Sequence, residues 1–381
     1  MNKEKEILDL TMQMMRFPSI SIGKHKNLRG IRELYDFITG YLKKAGLRVI
    51  GFSNGGETPS LYCDTSSSGS LTGRILLSGH FDKVSPATVE QLEPKVNGDW
   101  LIGRGSADML TVVATYMVFM KDISQKQGKN TGLLLVGNEE PGEADRWGTP
   151  YVFNDLKEKY DYAPELMIVG ERTGEGEVLH GKIETSSRGI IRIHLEAQNQ
   201  SGHTAVVKGM TAVDKILELK DHTDRLIPKT DSAWRSQFLL SYLLSGEPEN
   251  FNTSPEKAVG GFEIRGIPED NISGAIESML SKAEELDVKY TFFNNEPGIS
   301  TSPSHPLVEK LLDAAASVFG GAPADHLGSG KVHGSQARFA PKGCAQVVFG
   351  QAGAGPHTAN EKHYIPSIIP YYNVLTKLAG N

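Results

Sequence analysis

Residues 74–82 read Arg74-Ile75-Leu76-Leu77-Ser78-Gly79-His80-Phe81-Asp82. The segment Arg74–Ser78 is predicted to be a strand, and it leads through a glycine to a histidine and an aspartate. Outward from this strand, residues 3–17 repeat apolar positions at helical spacing (Ile7, Leu8, Met12, Met15), and Ile31 to Lys44 does the same. Leu47–Phe52, Gly132–Gly137 and Leu166–Val169 read as further strands, with a helix over Ala107–Lys121 between them. Strands alternating with helices predict an α/β domain with a mostly parallel central sheet.

The pattern changes near Ser187. Gly189–Ala197 reads as a strand, Thr211–Leu226 as a helix, and Gln237–Leu244 and Val259–Arg265 as strands. Asn271–Leu286 is then helical and Val288–Phe293 is a last strand, which gives the order βαββαβ of a ferredoxin-like unit. A helix over Pro306–Val318 and a strand over Ala345–Phe349 return to the first pattern. The expected organisation is a discontinuous domain, 1–186 and 295–381, interrupted by a smaller domain, 187–294.

A chain of 381 residues has ample length for two domains. Its net charge of -6 argues against general attraction to nucleic-acid phosphates or anionic lipid, so neither nucleic acid nor membrane is an expected partner. Two cysteines, Cys63 and Cys344, are too few for a disulfide framework and lie in apolar stretches, so they are expected to be buried free thiols. No secretory h-region and no apolar run of about 18 residues is present, and a cytoplasmic setting is expected.

Five short blocks carry the chemistry: residues 78–82, 103–109, 138–140, 170–171 and 356–361. His80 follows an apolar run and so stands at a strand's C-terminal end, where open α/β sheets gather ligands. Asp82 is spaced to take the other imidazole N–H. Alone, His-x-Asp is more often a surface turn. Asp108, expected at the start of a helix after the small-residue loop Gly103–Ala107, is either a helix cap or a carboxylate shared by two cations about 3.5–4 Å apart. Glu139-Glu140 follows a strand. Adjacent like charges there are either solvated or neutralised by a cation, in which case Glu140 ligates and Glu139 takes a proton from a bridging water. Glu171 ends another apolar run, and His357 lies in the loop after the last strand. Imidazole and carboxylate ligands without thiolate suit two Zn²⁺ ions, with Co²⁺ or Mn²⁺ as alternatives. The glycine run Gly350–Gly355 lacks the Lys-Ser/Thr of a phosphate-binding loop.

As an ordered set, these blocks resemble the M20 family of metallopeptidases and deacylases, which includes acetylornithine deacetylase, succinyl-diaminopimelate desuccinylase, aminoacylase and glutamate-releasing carboxypeptidases. The resemblance covers essentially the full length. It implies His80, Asp108, Glu140, Glu171 and His357 as metal ligands, Glu139 as general base and Asp82 behind His80. It also implies that residues 187–294 are a lid that mediates homodimerisation. His203 in Ser201-Gly202-His203-Thr204 would help hold the oxyanion, while Asn252 and Arg265 would bind the substrate carboxylate. Two positions depart from the pattern. Gln336 stands where relatives carry an acid, which puts a substrate-ammonium contact there in doubt. Lys83 follows Asp82 as either a surface charge or a group favouring an acidic substrate.

The expected activity is hydrolysis of the amide bond of a small N-acyl amino acid, with a dipeptidase or carboxypeptidase as the alternative. A binding protein that has lost catalysis is disfavoured because Glu139 and all five ligands are present.

Overall fold

The computed structural model describes residues 2–53, 58–65, 71, 73–125, 131–141, 148–331 and 333–380. Two compact units are formed. The first comprises Met1–Thr185, Thr301–Gly328 and Ser335–Asn381. At its centre is a six-stranded sheet in the order Ala345–Val348, Leu166–Val169, Ile75–His80, Thr131–Val136, Ser60–Asp64 and Arg48–Phe52. The first four strands pair in parallel and the last two are antiparallel. The mostly parallel α/β sheet expected from the alternation is therefore present.

Its inner strands are short apolar runs because both faces are covered. Every residue of Ile75–His80, Thr131–Val136 and Leu166–Val169 is buried. Helix Thr111–Gln125 is buried along most of its length. Helix Leu28–Lys44 instead buries one stripe, Ile31, Leu34, Ile38 and Leu42, and starts at Asn27, whose side chain accepts from the Gly30 amide. These helices and strands share one core cluster. Because the three inner strands run the same way, the segments that follow them leave from one edge of the sheet. Those segments carry Glu139-Glu140 and Glu171, and His80 ends its strand at the same edge.

A second, five-stranded sheet was not legible beforehand. Its order is Gly174–Glu175, Ala352–Ala354, Lys362–Tyr364, Trp100–Ile102 and Lys95–Asn97. Strands of two or three residues are too short to display a period. The sheet matters because Lys362–Tyr364 pairs antiparallel with Trp100–Ile102, Lys362 opposite Ile102. The loop before Lys362 and the loop after Ile102 therefore lie at the same end, and they carry His357 and Asp108.

The second unit, Ser186–Ser300 with Ser329–Gly334, contains a four-stranded antiparallel sheet in the order Gln237–Ser245, Lys257–Arg265, Ile190–Gln198 and Val288–Glu296. Helices Ala212–Leu226 and Ile272–Glu285 complete the βαββαβ order. Ile191, Ile193, Leu195 and Ala197 alternate along the central strand and pack into this unit's own core. Helix Ala212–Leu226 begins at a reciprocal cap between Thr211 and Asp214. Cys63 and Cys344 are buried free thiols. Among the described residues no helix is long and apolar enough to cross a membrane.

Candidate metal centre

His80 is the last residue of its strand and is 1% exposed. Its Nδ1 lies 3.1 Å from the Asp82 carbonyl oxygen and 3.4 Å from Asp82 Oδ1. The N–H expected to meet the Asp82 carboxylate thus meets the carbonyl more closely, and Nε2 is left to face the site. The Asp82 carboxylate has a wider role. It accepts from the Glu139 amide at 3.1 Å, the Glu140 amide at 3.0 Å and the Ser21 hydroxyl at 2.6 Å. One buried carboxylate therefore orients the turn that carries both glutamates.

Asp108 is not at a helix start. Asp108 and Met109 have non-helical backbone angles, the peptide between them is cis, and the regular helix begins at Thr111. The loop before Asp108 is organised by a residue that the sequence reading did not use. Glu361 Oε1 accepts from the amides of Gly105 at 3.0 Å and of Ala107 and Asp108 at 3.1 Å each. Glu361 Oε2 meets the Arg104 guanidinium in an ion pair whose members are 2% exposed or less. Removing one partner from such a buried pair costs about 3–5 kcal/mol. The sequence signal was present, since Arg104 and Glu361 sit inside two of the five blocks, but nothing in the string links residues this far apart.

Around Asp108 the donor atoms converge. Asp108 Oδ1 is 3.1 Å from His80 Nε2, and Asp108 Oδ2 is 3.1 Å from His357 Nε2. His357 Nε2 is also 3.1 Å from Glu140 Oε2. His80, Asp108 and Glu140 each offer one ligand atom within 4.8 Å of the others. Glu139 Oε2 lies 3.9 Å from His80 Nε2. His357 has φ 62, a backbone region that few non-glycine residues occupy and that clusters at functional sites.

The electrostatics agree. Hydrogen bonds with Asp108 and Glu140 push His357 up to about 10. Burial opposes protonation of His80, yet contacts with Asp108 and Asp82 raise it well above its usual value. Burial alone would raise Asp108, but the two imidazoles hold it well below the usual carboxylate range. Burial and the neighbouring Asp108 raise Glu140. The cluster stabilises positive charge among carboxylates. The donor set fits divalent cations: only imidazole nitrogen and carboxylate oxygen are offered. Separations of 3.1 Å are close to the roughly 3.3 Å between ligands held about 2.0 Å from a tetrahedral Zn²⁺.

Glu171 follows strand Leu166–Val169, whose register sets Val169 beside Ser78, and the Gly170 amide donates to the Ser78 carbonyl. Glu171 thus follows the end of this ladder by two residues, as His80 follows Ser78 by two. In the second unit, His203 pairs with Thr253 in a short antiparallel ribbon and the Asn252 carbonyl accepts from the Thr204 amide, so His203 and Asn252 are neighbours. The Ala205 amide donates to His203 Nδ1, which leaves the ring proton on Nε2. Arg265 ends its strand and its Nε donates to Glu263 at 2.8 Å.

The two departures resolve structurally. Lys83 is fully buried and donates to the carbonyls of Met15 and Phe17, so it is neither a surface charge nor a group facing substrate. Gln336 is fully buried too, and its side-chain amide donates to the Ser78 hydroxyl at 2.8 Å.

Comparison with known proteins agrees with this geometry. The family model described as peptidase family M20/M25/M40 matches residues 76–381. A succinyl-diaminopimelate desuccinylase from Nitratiruptor sp. is 25% identical over 366 residues, covering 94% of each chain. One from Bordetella petrii is 26% identical over 361 residues, covering 89% of this chain and 90% of its own. Among solved structures, an M20 family metallo-carboxypeptidase from Sulfolobus solfataricus superposes with a TM-score of 0.74 at 14% identity, covering 100% of this chain and 99% of its own. At that identity the likeness shows the fold.

Proposed function

The chain belongs to peptidase family M20/M25/M40, and from that premise we propose that it is a metal-dependent amidohydrolase that hydrolyses the amide bond of N-acyl amino acids, as a deacetylase or desuccinylase does. The observation that carries this reading is Asp108, whose two oxygens each stand 3.1 Å from a different imidazole. Such an arrangement suits a carboxylate shared by two cations. In this reading His80 and Glu171 complete one cation's ligands, and Glu140 and His357 the other's. Zn²⁺ suits the donors best, with Co²⁺ or Mn²⁺ as alternatives.

Bound cations would supply Lewis acidity toward the scissile carbonyl and make water a nucleophile near neutral pH. The chain's own residues do the rest. Glu139, with its amide held by Asp82, takes a proton from the attacking water and returns it to the leaving nitrogen. His203, with its proton on Nε2, is the proposed donor to the oxyanion. Arg265 and Asn252 are the proposed partners of the substrate carboxylate, a task for which a planar guanidinium is well shaped.

The domain division, 1–186 with 295–381 for catalysis and 187–294 as lid, belongs to the same proposal. So does a homodimer through the smaller domain, which the exposed side chains of Leu239, Tyr242, Leu244 and Phe293 support. Light scattering of the purified protein checks it. Two buried free thiols suit a reducing, cytoplasmic setting, which cell fractionation checks.

The relatives named as desuccinylases favour deacylation over peptide cleavage. The test is amine release by Zn²⁺-loaded protein from N-acetyl, N-succinyl and N-formyl amino acids, with dipeptides alongside. Turnover of one acyl series but not dipeptides, abolished by a chelator, is expected. Cleavage of dipeptides alone would replace the deacylase reading with the peptidase one.

A further inference from the structure

Glu361 ties together the two loops that bring Asp108 and His357 to 3.1 Å from each other. On one side it follows His357 by four residues. On the other, its Oε1 gathers three consecutive-loop amides, of which the last belongs to Asp108 itself. Its own carbonyl accepts from the Gly103 amide at 3.1 Å. Further bonds hold the segment that follows His357. Arg104 reaches the Thr358 carbonyl at 3.3 Å, and the Gln91 side chain donates to the carbonyls of Thr358 and Ala359 at 3.0 and 3.1 Å. Glu361 is fully buried, so solvent does not share its acceptors. A carboxylate is required rather than any polar group. One oxygen must accept amide hydrogens while the other faces a guanidinium, which has donors only.

From this arrangement we infer that Glu361, together with Arg104, is a positioning residue that sets the Asp108–His357 pair, so that the cation on the His357 side, which draws on both residues, depends on it more than the cation on the His80 side, which shares only Asp108. The inference rests on the metal-centre reading above. A positioning carboxylate of this kind is worth about 10–100-fold in metal affinity. Here the effect is expected mainly at one of two binding steps.

The test is titration of the metal-free full-length protein with Co²⁺ alone, following visible absorption and counting bound metal after dialysis. Wild type, Glu361→Gln and Glu361→Ala are compared. Gln keeps an oxygen for the three amides but turns an NH₂ toward Arg104, so it preserves the fold better than Ala. The expected result is two Co²⁺ per wild-type chain. In Glu361→Gln the first step should stay within about 3-fold and the second weaken by at least about 10-fold, with an altered absorption band for the second ion. A folded Glu361→Gln protein with both steps unchanged overturns the inference and leaves the metal centre intact. Equal weakening of both steps also overturns it, since that is general distortion. A wild-type chain that binds no Co²⁺ removes the inference and the metal-centre reading together. Should Glu361→Ala fail to fold, Glu361→Gln decides alone.

Discussion

His80 and His357 offer the same imidazole nitrogen to the same carboxylate at the same 3.1 Å, yet they are held in opposite ways. His80 closes a strand buried at every position, and its side chain is 2% exposed. His357 stands in a loop at φ 62 with its side chain 53% exposed. The first is fixed by a sheet, whose parallel ladder spreads the constraint over many backbone hydrogen bonds. The second is fixed by the side chain of Glu361 and the few bonds around it. Identical ligands can therefore respond differently to single substitutions. One half of the site is held by a sheet, and the other by one carboxylate and a few bonds beside it.

The largest effect belongs to the sheet-held half. Glu139 sits on the turn that Asp82 orients. Glu139→Gln keeps size and hydrogen bonding but removes the proposed base, so turnover should fall roughly 10²–10⁴-fold while bound metal is unchanged. Steady-state kinetics with a metal count on the same sample checks this. Retained turnover would move the base elsewhere and weaken the case that this half does the proton chemistry.

Next comes Asp82→Asn. The substitution turns one carboxylate oxygen into an NH₂ donor, so either the Glu139 amide, or the Glu140 amide and the Ser21 hydroxyl, lose their acceptor, and the negative charge near His80 Nδ1 is removed. Metal affinity is expected to drop about 10–100-fold. Because Asp82 touches His80 and the Glu140 amide, the proposed ligands of different cations, Asn should weaken both binding steps, in contrast to the mainly single step expected for Glu361→Gln. If the two variants give the same pattern, the division into two independently held halves fails.

A pH measurement sharpens the loop-held half. Lys83 lies beneath Gly105 and bonds the Met15 and Phe17 carbonyls. Burial pulls its amine down to about 7, with Glu361 opposing that shift and Arg104 adding to it. An unfolded chain keeps this amine protonated up to about pH 10.4. Between about 7 and 10 the unfolded chain thus binds a proton that the folded one has released, and rising pH favours folding. Below about 7 both forms are protonated and the dependence disappears. Wild type should gain stability relative to Lys83→Met by as much as about 1.4 kcal/mol per pH unit across that window. Urea unfolding at several pH values reads it, and a flat difference would mean that Lys83 stays charged under the Asp108 loop.

The sequence made the sheet-held half legible and also offered Asp108 and His357 as candidate ligands, but it left the support of those two obscure for a physical reason. A strand such as Ile75–His80 announces itself by a continuous apolar run, and the residue after the run is positioned by topology. That logic reached His80, Glu139-Glu140 and Glu171, as well as the ferredoxin-like order of the second unit. It did not reach the five-stranded sheet, whose strands carry no period, nor the Arg104–Glu361 pair, which is local only in space. Lys83 misled for a related reason. A lysine after a strand reads as solvated, and only the fold supplies two carbonyls that let it be buried.

Ser21 gives the smallest effect and separates support from redundancy. Its strand Ile20–Ile22 pairs with Lys83–Val84, and its hydroxyl donates to Asp82 Oδ2, the same oxygen that accepts from the Glu140 amide. Ser21→Ala deletes one donor to a carboxylate that keeps two backbone amides and its place near His80. A hydrogen bond to a charged group contributes about 1.5–3 kcal/mol, and the remaining donors offset part of that. Stability should therefore fall by about 1 kcal/mol in chemical unfolding, and Co²⁺ affinity by clearly less than in Asp82→Asn. If Ser21→Ala weakens metal binding as much as Asp82→Asn, then Asp82 is not held redundantly. Both halves of the centre would then hang on single side-chain contacts, Ser21 for one imidazole and Glu361 for the other.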